Sequence, residues 1–265
     1  MFDDSLPAPD PADDAPAGPV ASVIRARRLD RYVGSFAVEW PAVKAVDTPA
    51  QKDGWVPLPH DELHALVLDA LRAQDIGVTE QIHTLYRRGD RYIGLGVTDL
   101  VSPAGGRDVF VGWFNSHDRS AAATLLLGEQ VTVCFNLCLY AEVKVARKHT
   151  RHIRRDLPLL IEDAVGRFTQ AMTDQAKRCD AYRETPLERS SGNDVLIQLL
   201  ERGVFPPSRI RKVLDEWTQP TIPEHAAAWN VDRLYQAVTF QQTPLWDMGR
   251  RHRALHRVLD EVAGV

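Results

Sequence analysis

Between Glu80 and Ala146 the apolar side chains recur at every second residue, a period that fits strands and excludes helices. The runs Tyr92 to Val97 and Asp108 to Phe114 are separated by the turn residues Pro103 to Gly106. The clearest alternation is later, with Val131, Val133, Phe135, Leu137 and Leu139 on one face and Thr132, Cys134, Asn136 and Cys138 on the other. Read with Ala121 to Leu127, it predicts a hairpin that turns at Gly128-Glu129. Gly94 and Gly96 would leave one face of their strand bare. An antiparallel meander over about residues 80–146 is therefore expected.

On either side the period becomes helical. His60 to Gln74 places Leu63, Leu66, Val67, Ala70 and Leu71 on one face, with Asp61 and Glu62 near its start. After the strands, helices are predicted from Leu157 to about Cys179, from Asn193 to Arg202 before Gly203, and from Pro206 to near Trp217. Two more run from Val231 to Phe240 behind an Asn230 cap, and from Trp246 to Val262. Strands first and helices afterwards define an α+β fold with an antiparallel β-meander sheet and a mainly helical C-terminal half packed on it. The 265 residues suit a single α+β domain over residues 21–265, with the sheet core at about 80–146 and the helical part at about 156–263. Residues 1–20 are acidic, Pro-rich and poor in apolar side chains, as in a disordered tail. Tyr32, Phe36, Val38 and Trp40 alternate as a strand that Pro41 ends.

Hydrophobic residues at 44% and charged residues at 26% match ordinary globular chains. No apolar run approaches the ~18 residues of a membrane span, and the start of the chain does not resemble a signal peptide. Cys134, Cys138 and Cys179 form an odd, sparse set unlike a disulfide framework. A cytoplasmic location and no membrane partner are expected.

Three segments could carry chemistry. Cys134 and Cys138, on one strand, would lie roughly 13 Å apart, too far to share a metal ion, and read as buried thiols. Asn115, Ser116, His117 and Asp118 bring an amide, a hydroxyl, an imidazole and a carboxylate to the end of a strand. With Asn136 they could serve an enzyme of hydrolase type: His117 as base, a hydroxyl or water attacking, the amides steadying developing charge. A turn closed by Asp118 and Ser120 is the structural alternative. The run from Lys144 to Arg155 holds two lysines, four arginines and two histidines without an acid. In a chain of net charge −4, this cluster offers a local site for phosphates, through Lys144, Arg147, Lys148, His149, Arg151, His152, Arg154 and Arg155. His149 and His152 lack a placed third ligand, so no metal and no cofactor is assigned. Neither a phosphate-binding glycine loop nor a nucleophile elbow occurs.

The order Asn115-Ser116-His117-Asp118-x-Ser120, Gly128, Val133-Cys134-x-Asn136 and His149-Thr150 resembles the family catalogued as domain of unknown function 932. Trp229 and Leu234-Tyr235-x-Ala237-Val238-Thr239 resemble its C-terminal motif, so the likeness covers about residues 80–243. Leu137 stands where the family commonly has glycine after Cys-x-Asn. Members are described as phage- and plasmid-like proteins, which implies residence on a mobile element and supplies no activity. The expectation is a mobile-element accessory protein that binds nucleic acid without strong sequence specificity. The alternatives are the enzyme above and a protein-binding inhibitor with a host protein as partner.

Overall fold

The alternating segment does build the sheet, and the sheet is larger than the pattern alone announced. The computed structural model describes residues 37–105, 107–131, 137–240 and 245–265, with the backbone alone described at 130–131, 137–144 and 245–249. Six strands follow one another in sequence order: β1 (Ala37–Val38), β2 (Val78–Tyr86), β3 (Arg91–Val101), β4 (Arg107–Ser116), β5 (Ala123–Val131) and β6 (Leu137–Arg147). Every neighbouring pair is antiparallel. The protein is an α+β meander.

Two short helices join β1 to β2: α1 (Trp40–Lys44) and α2 (His60–Arg72). The helical half comprises α3 (Ile153–Gly166), α4 (Phe168–Glu184), α5 (Arg189–Glu201), α6 (Ile210–Thr218), α7 (Val231–Phe240) and α8 (Leu245–Ala263). Helices α2, α3 and α4 cover one sheet face, where Val109, Val111, Trp113, Leu125 and Leu127 meet Leu63, Val67, Ile161 and Phe168 in one apolar cluster. Ile82, Ile93, Leu95, Val97, Phe110, Phe114 and Leu126 form a second cluster on the opposite face. A third joins α4 to α8 around Trp217, Leu234, Tyr235 and Leu255, and α4 and α8 both lie against β6.

Three expectations need correction. Gly128 and Glu129 do not turn; they lie inside β5, paired with Leu139 and Cys138 of β6. The alternating residues therefore belong to two strands, Val131 ending β5 and Leu137 and Leu139 lying in β6. The helix expected from Leu157 to Cys179 begins at Ile153 and breaks at Arg167, whose φ −93°, ψ 0° ends α3 and opens α4. Trp40 starts a helix instead of continuing a strand. The N-terminal tail, Tyr32, Phe36, Cys134 and Asn136 lie outside the described residues. Among the described residues, no helix is long and apolar enough to cross a membrane.

Candidate functional site

A Pro-x-Pro strap, Val56-Pro57-Leu58-Pro59, crosses the end of the sheet just before α2. A residue that precedes proline is driven to extended conformations, so neither Val56 nor Leu58 can begin the helix. Their carbonyl oxygens are left to side chains arriving from far along the chain. Asn115 Nδ2 donates to the Leu58 oxygen at 2.6 Å, and His117 Nε2 reaches the same oxygen at 2.9 Å. His149 Nδ1 faces the Val56 oxygen at 3.3 Å, while the Val56 N–H donates to the His149 carbonyl at 3.0 Å.

Helix α2 adds His60 from above. Its Nε2 donates to the Gly89 carbonyl at 2.8 Å, so Nδ1 is left as acceptor for Asn115 Nδ2 at 2.9 Å. The His60 ring stacks on His117 with centroids 4.0 Å apart and planes 9° from parallel. Burial pushes His60 down to about 4 and holds His149 below the usual range, so both rings stay neutral at physiological pH.

The same sheet face carries a second histidine pair. His64 Nε2 lies 2.7 Å from Gln81 Oε1, and His83 Nδ1 lies 2.9 Å from the Tyr92 hydroxyl, which also accepts from Trp113 Nε1 at 2.9 Å. Trp40 closes over both rings, with centroids 4.1 and 5.0 Å away. Burial, and then the nearby His64, bring His83 to about 4.

Not all of the Asn115 to Asp118 segment belongs to this cluster. Asn115, in β4, and His117, one residue past its end, reach the strap; Ser116 points away and bridges the Ala121 N–H (3.1 Å) and carbonyl (3.3 Å). Asp118 binds Arg91 at 2.8 Å and caps the Ser120 N–H at 3.0 Å. Burial opposes its charge, but the bonds from Ser120 and Arg91 prevail and hold the carboxyl below its usual value. Within the described residues, then, His117 has neither Ser116 nor Asp118 as a partner, and the expected acid–base pair is not assembled. The turn reading fits Ser116 and Asp118.

Much of the basic run is neutralised by carboxylates. Arg154 makes a double contact with Glu62, at 2.7 and 2.6 Å, and Arg147 and Arg155 both bind Asp156, at 2.6 and 2.7 Å. Lys148 and Arg151 are exposed; Arg151 Nε reaches His152 Nε2 at 2.9 Å, and for Lys144 only the backbone is described.

The sheet's topology supplies cations that the linear run did not reveal. In a meander, alternate turns fall at the same end. The β2–β3 turn with Arg87 and Arg88 thus sits beside the β4–β5 turn with Arg119, joined by the His117 N–H donating to the Asp90 carbonyl at 2.7 Å. Arg119 lies 4.8 Å over the Trp55 ring, and Trp55 pairs with Thr150 just after β6. Arg87, Arg88 and Arg119 are exposed and adopt positive φ of 51°, 59° and 64°. Asp53 and Asp90 share this end, with arginine in excess.

Among the described residues, no three His, Cys, Asp or Glu side chains are gathered as metal ligands. Sequence reasoning passed over His60 and His64, although their i, i+4 spacing beside Leu63 and Val67 puts both on the inward stripe of α2. Fold and site together define an α+β meander protein with a histidine-lined, arginine-rimmed sheet end. Comparison with known families, curated proteins and solved structures finds no match in any of the three.

Proposed function

We propose that the protein binds nucleic acid through backbone phosphates at the arginine-rimmed end of its sheet, as an accessory protein of a phage- or plasmid-type element. The motif resemblance supports the second half of this reading. One observation carries the first: two turns and the segment after β6, far apart in sequence, place exposed Arg87, Arg88, Arg119 and Arg151 at one end. Guanidinium groups suit phosphate because their planar fork donates two bonds at once. Phosphate contact also releases counterions, a gain independent of base sequence. Compared with the linear run, the interface moves: Arg147, Arg154 and Arg155 serve Asp156 and Glu62, and the turn arginines take their place.

The test is fluorescence polarisation with single- and double-stranded oligonucleotides of scrambled sequence over a salt series. Binding should weaken steeply with salt, by about 0.9 in log K per log salt for each duplex phosphate contacted. Replacing Arg87, Arg88, Arg119 and Arg151 by Ala together should flatten that slope and remove most of the affinity. Absence of binding at low salt, or an unchanged quadruple variant, rejects the reading.

A further inference from the structure

The histidine cluster beneath the rim holds an imbalance that the phosphate reading leaves unused. Asn115 spends both amide hydrogens, one on the Leu58 carbonyl and one on His60 Nδ1, so its Oδ1 faces the interior. The Leu58 carbonyl takes the His117 Nε2–H, which leaves Nδ1 as the ring's acceptor position. The Val56 carbonyl does the same for His149, which presents Nε2. Asn115 Oδ1, His117 Nδ1 and His149 Nε2 are each buried without a hydrogen-bond partner, in side chains only 2%, 5% and 6% exposed. All three are acceptors, and a buried acceptor without a donor costs about 1–3 kcal/mol.

The three side chains meet one strap, Asn115 and His117 at the Leu58 carbonyl and His149 at the Val56 carbonyl, and their unpartnered acceptors suit a positive charge. A single water offers only two hydrogens. Protonating His149 works against its own burial. An imidazole that donates one ring N–H to a backbone carbonyl and offers its other nitrogen inward has the arrangement by which proteins hold histidine ligands on metals. His117 and His149 both have it, on two carbonyls of one strap. We propose that His117 and His149, with the Asn115 side-chain oxygen, bind one divalent transition-metal ion of the zinc type. Two imidazoles and one oxygen make a three-ligand set that leaves a fourth tetrahedral position open. His60 is a positioning residue here: it fixes which way the Asn115 amide faces. The sequence alone assigned no metal, because His117 and His149 stand in no recognisable ligand spacing and Asn115 has its place only through the strap.

The experiment uses the full chain, treated with chelator, desalted and titrated with zinc chloride. One zinc per chain should remain after desalting by elemental analysis, and cobalt(II) in its place should give visible d–d absorption. His117→Gln and His149→Gln should each weaken zinc binding at least about tenfold, with His64→Gln, on the same face, binding like the native chain. Because the variants could lose the fold, the native chain is also followed by nitrogen-15 NMR of its histidine rings. Zinc should shift His117 Nδ1 and His149 Nε2 selectively. Failure to retain zinc, or shifts confined to the partly exposed His152 and His225, overturns the site. Neither readout depends on nucleic acid, so this proposal and the phosphate reading stand or fall separately.

Discussion

Arg107 and Glu129 show how much a single side chain can carry. They form an ion pair of 3.1 Å with side chains only 3% and 0% exposed, and Ser102 donates to the same carboxylate. Charges taken from water in this way lean heavily on each other, because no solvent reaches the one left behind. Arg107→Ala should lower stability by about 3–5 kcal/mol in urea titrations. Replacing both residues by leucine should cost markedly less than the single change, since no charge is then stranded. A double variant as damaged as the single one would show that the pair does more than satisfy itself.

Among the elements, β3 is the least ordinary. Gly94 lies opposite Trp113 in the β3–β4 register, and a Cβ on it would run into the indole ring. That ring is fully buried and anchored by its Nε1 to Tyr92, so it has little room to retreat. Gly94→Ala should therefore destabilise the protein by about 1–3 kcal/mol although alanine is the better strand residue. A rise in the urea midpoint would mean that Trp113 yields. The bare face expected from Gly94 and Gly96 is thus the socket for a tryptophan. Elements ruled by their own residues were legible in the sequence. Asn230 does cap α7, accepting the Arg233 N–H at 2.9 Å, and Gly203 follows α5 with φ 68°. What a local pattern cannot show is how many strands share a period, and so the hairpin turn was misplaced at Gly128.

At the scale of the whole molecule, the buried histidines set the response to acid. Burial holds His83 at about 4 and His252 at about 3, and His256 well below its ordinary value. Their folded-state values lie under the ~6.5 of the unfolded chain, so the native state refuses protons that the unfolded state accepts. Stability should be level in this respect above pH 6.5. Below it, each such ring should remove about 1.4 kcal/mol per pH unit until its folded-state value is reached. Urea midpoints measured from pH 8 to pH 4.5 should show that break, and His83→Gln should soften the slope; a flat profile below pH 6 would contradict the burial of these rings. The site was hard to read in the sequence for the same long-range reason. Leu58 and His117 are 59 positions apart, and Glu62 finds Arg154 across 92. No local rule links them. The strap adds an order of events. Its two pre-proline residues are held extended and outside the helix, and the side-chain partners of their carbonyls are made later. His149 emerges from the ribosome 93 residues after Val56. Until then the first half of the chain cannot finish this end of its sheet, and a nascent chain halted before β6 would present it to the cell half-built.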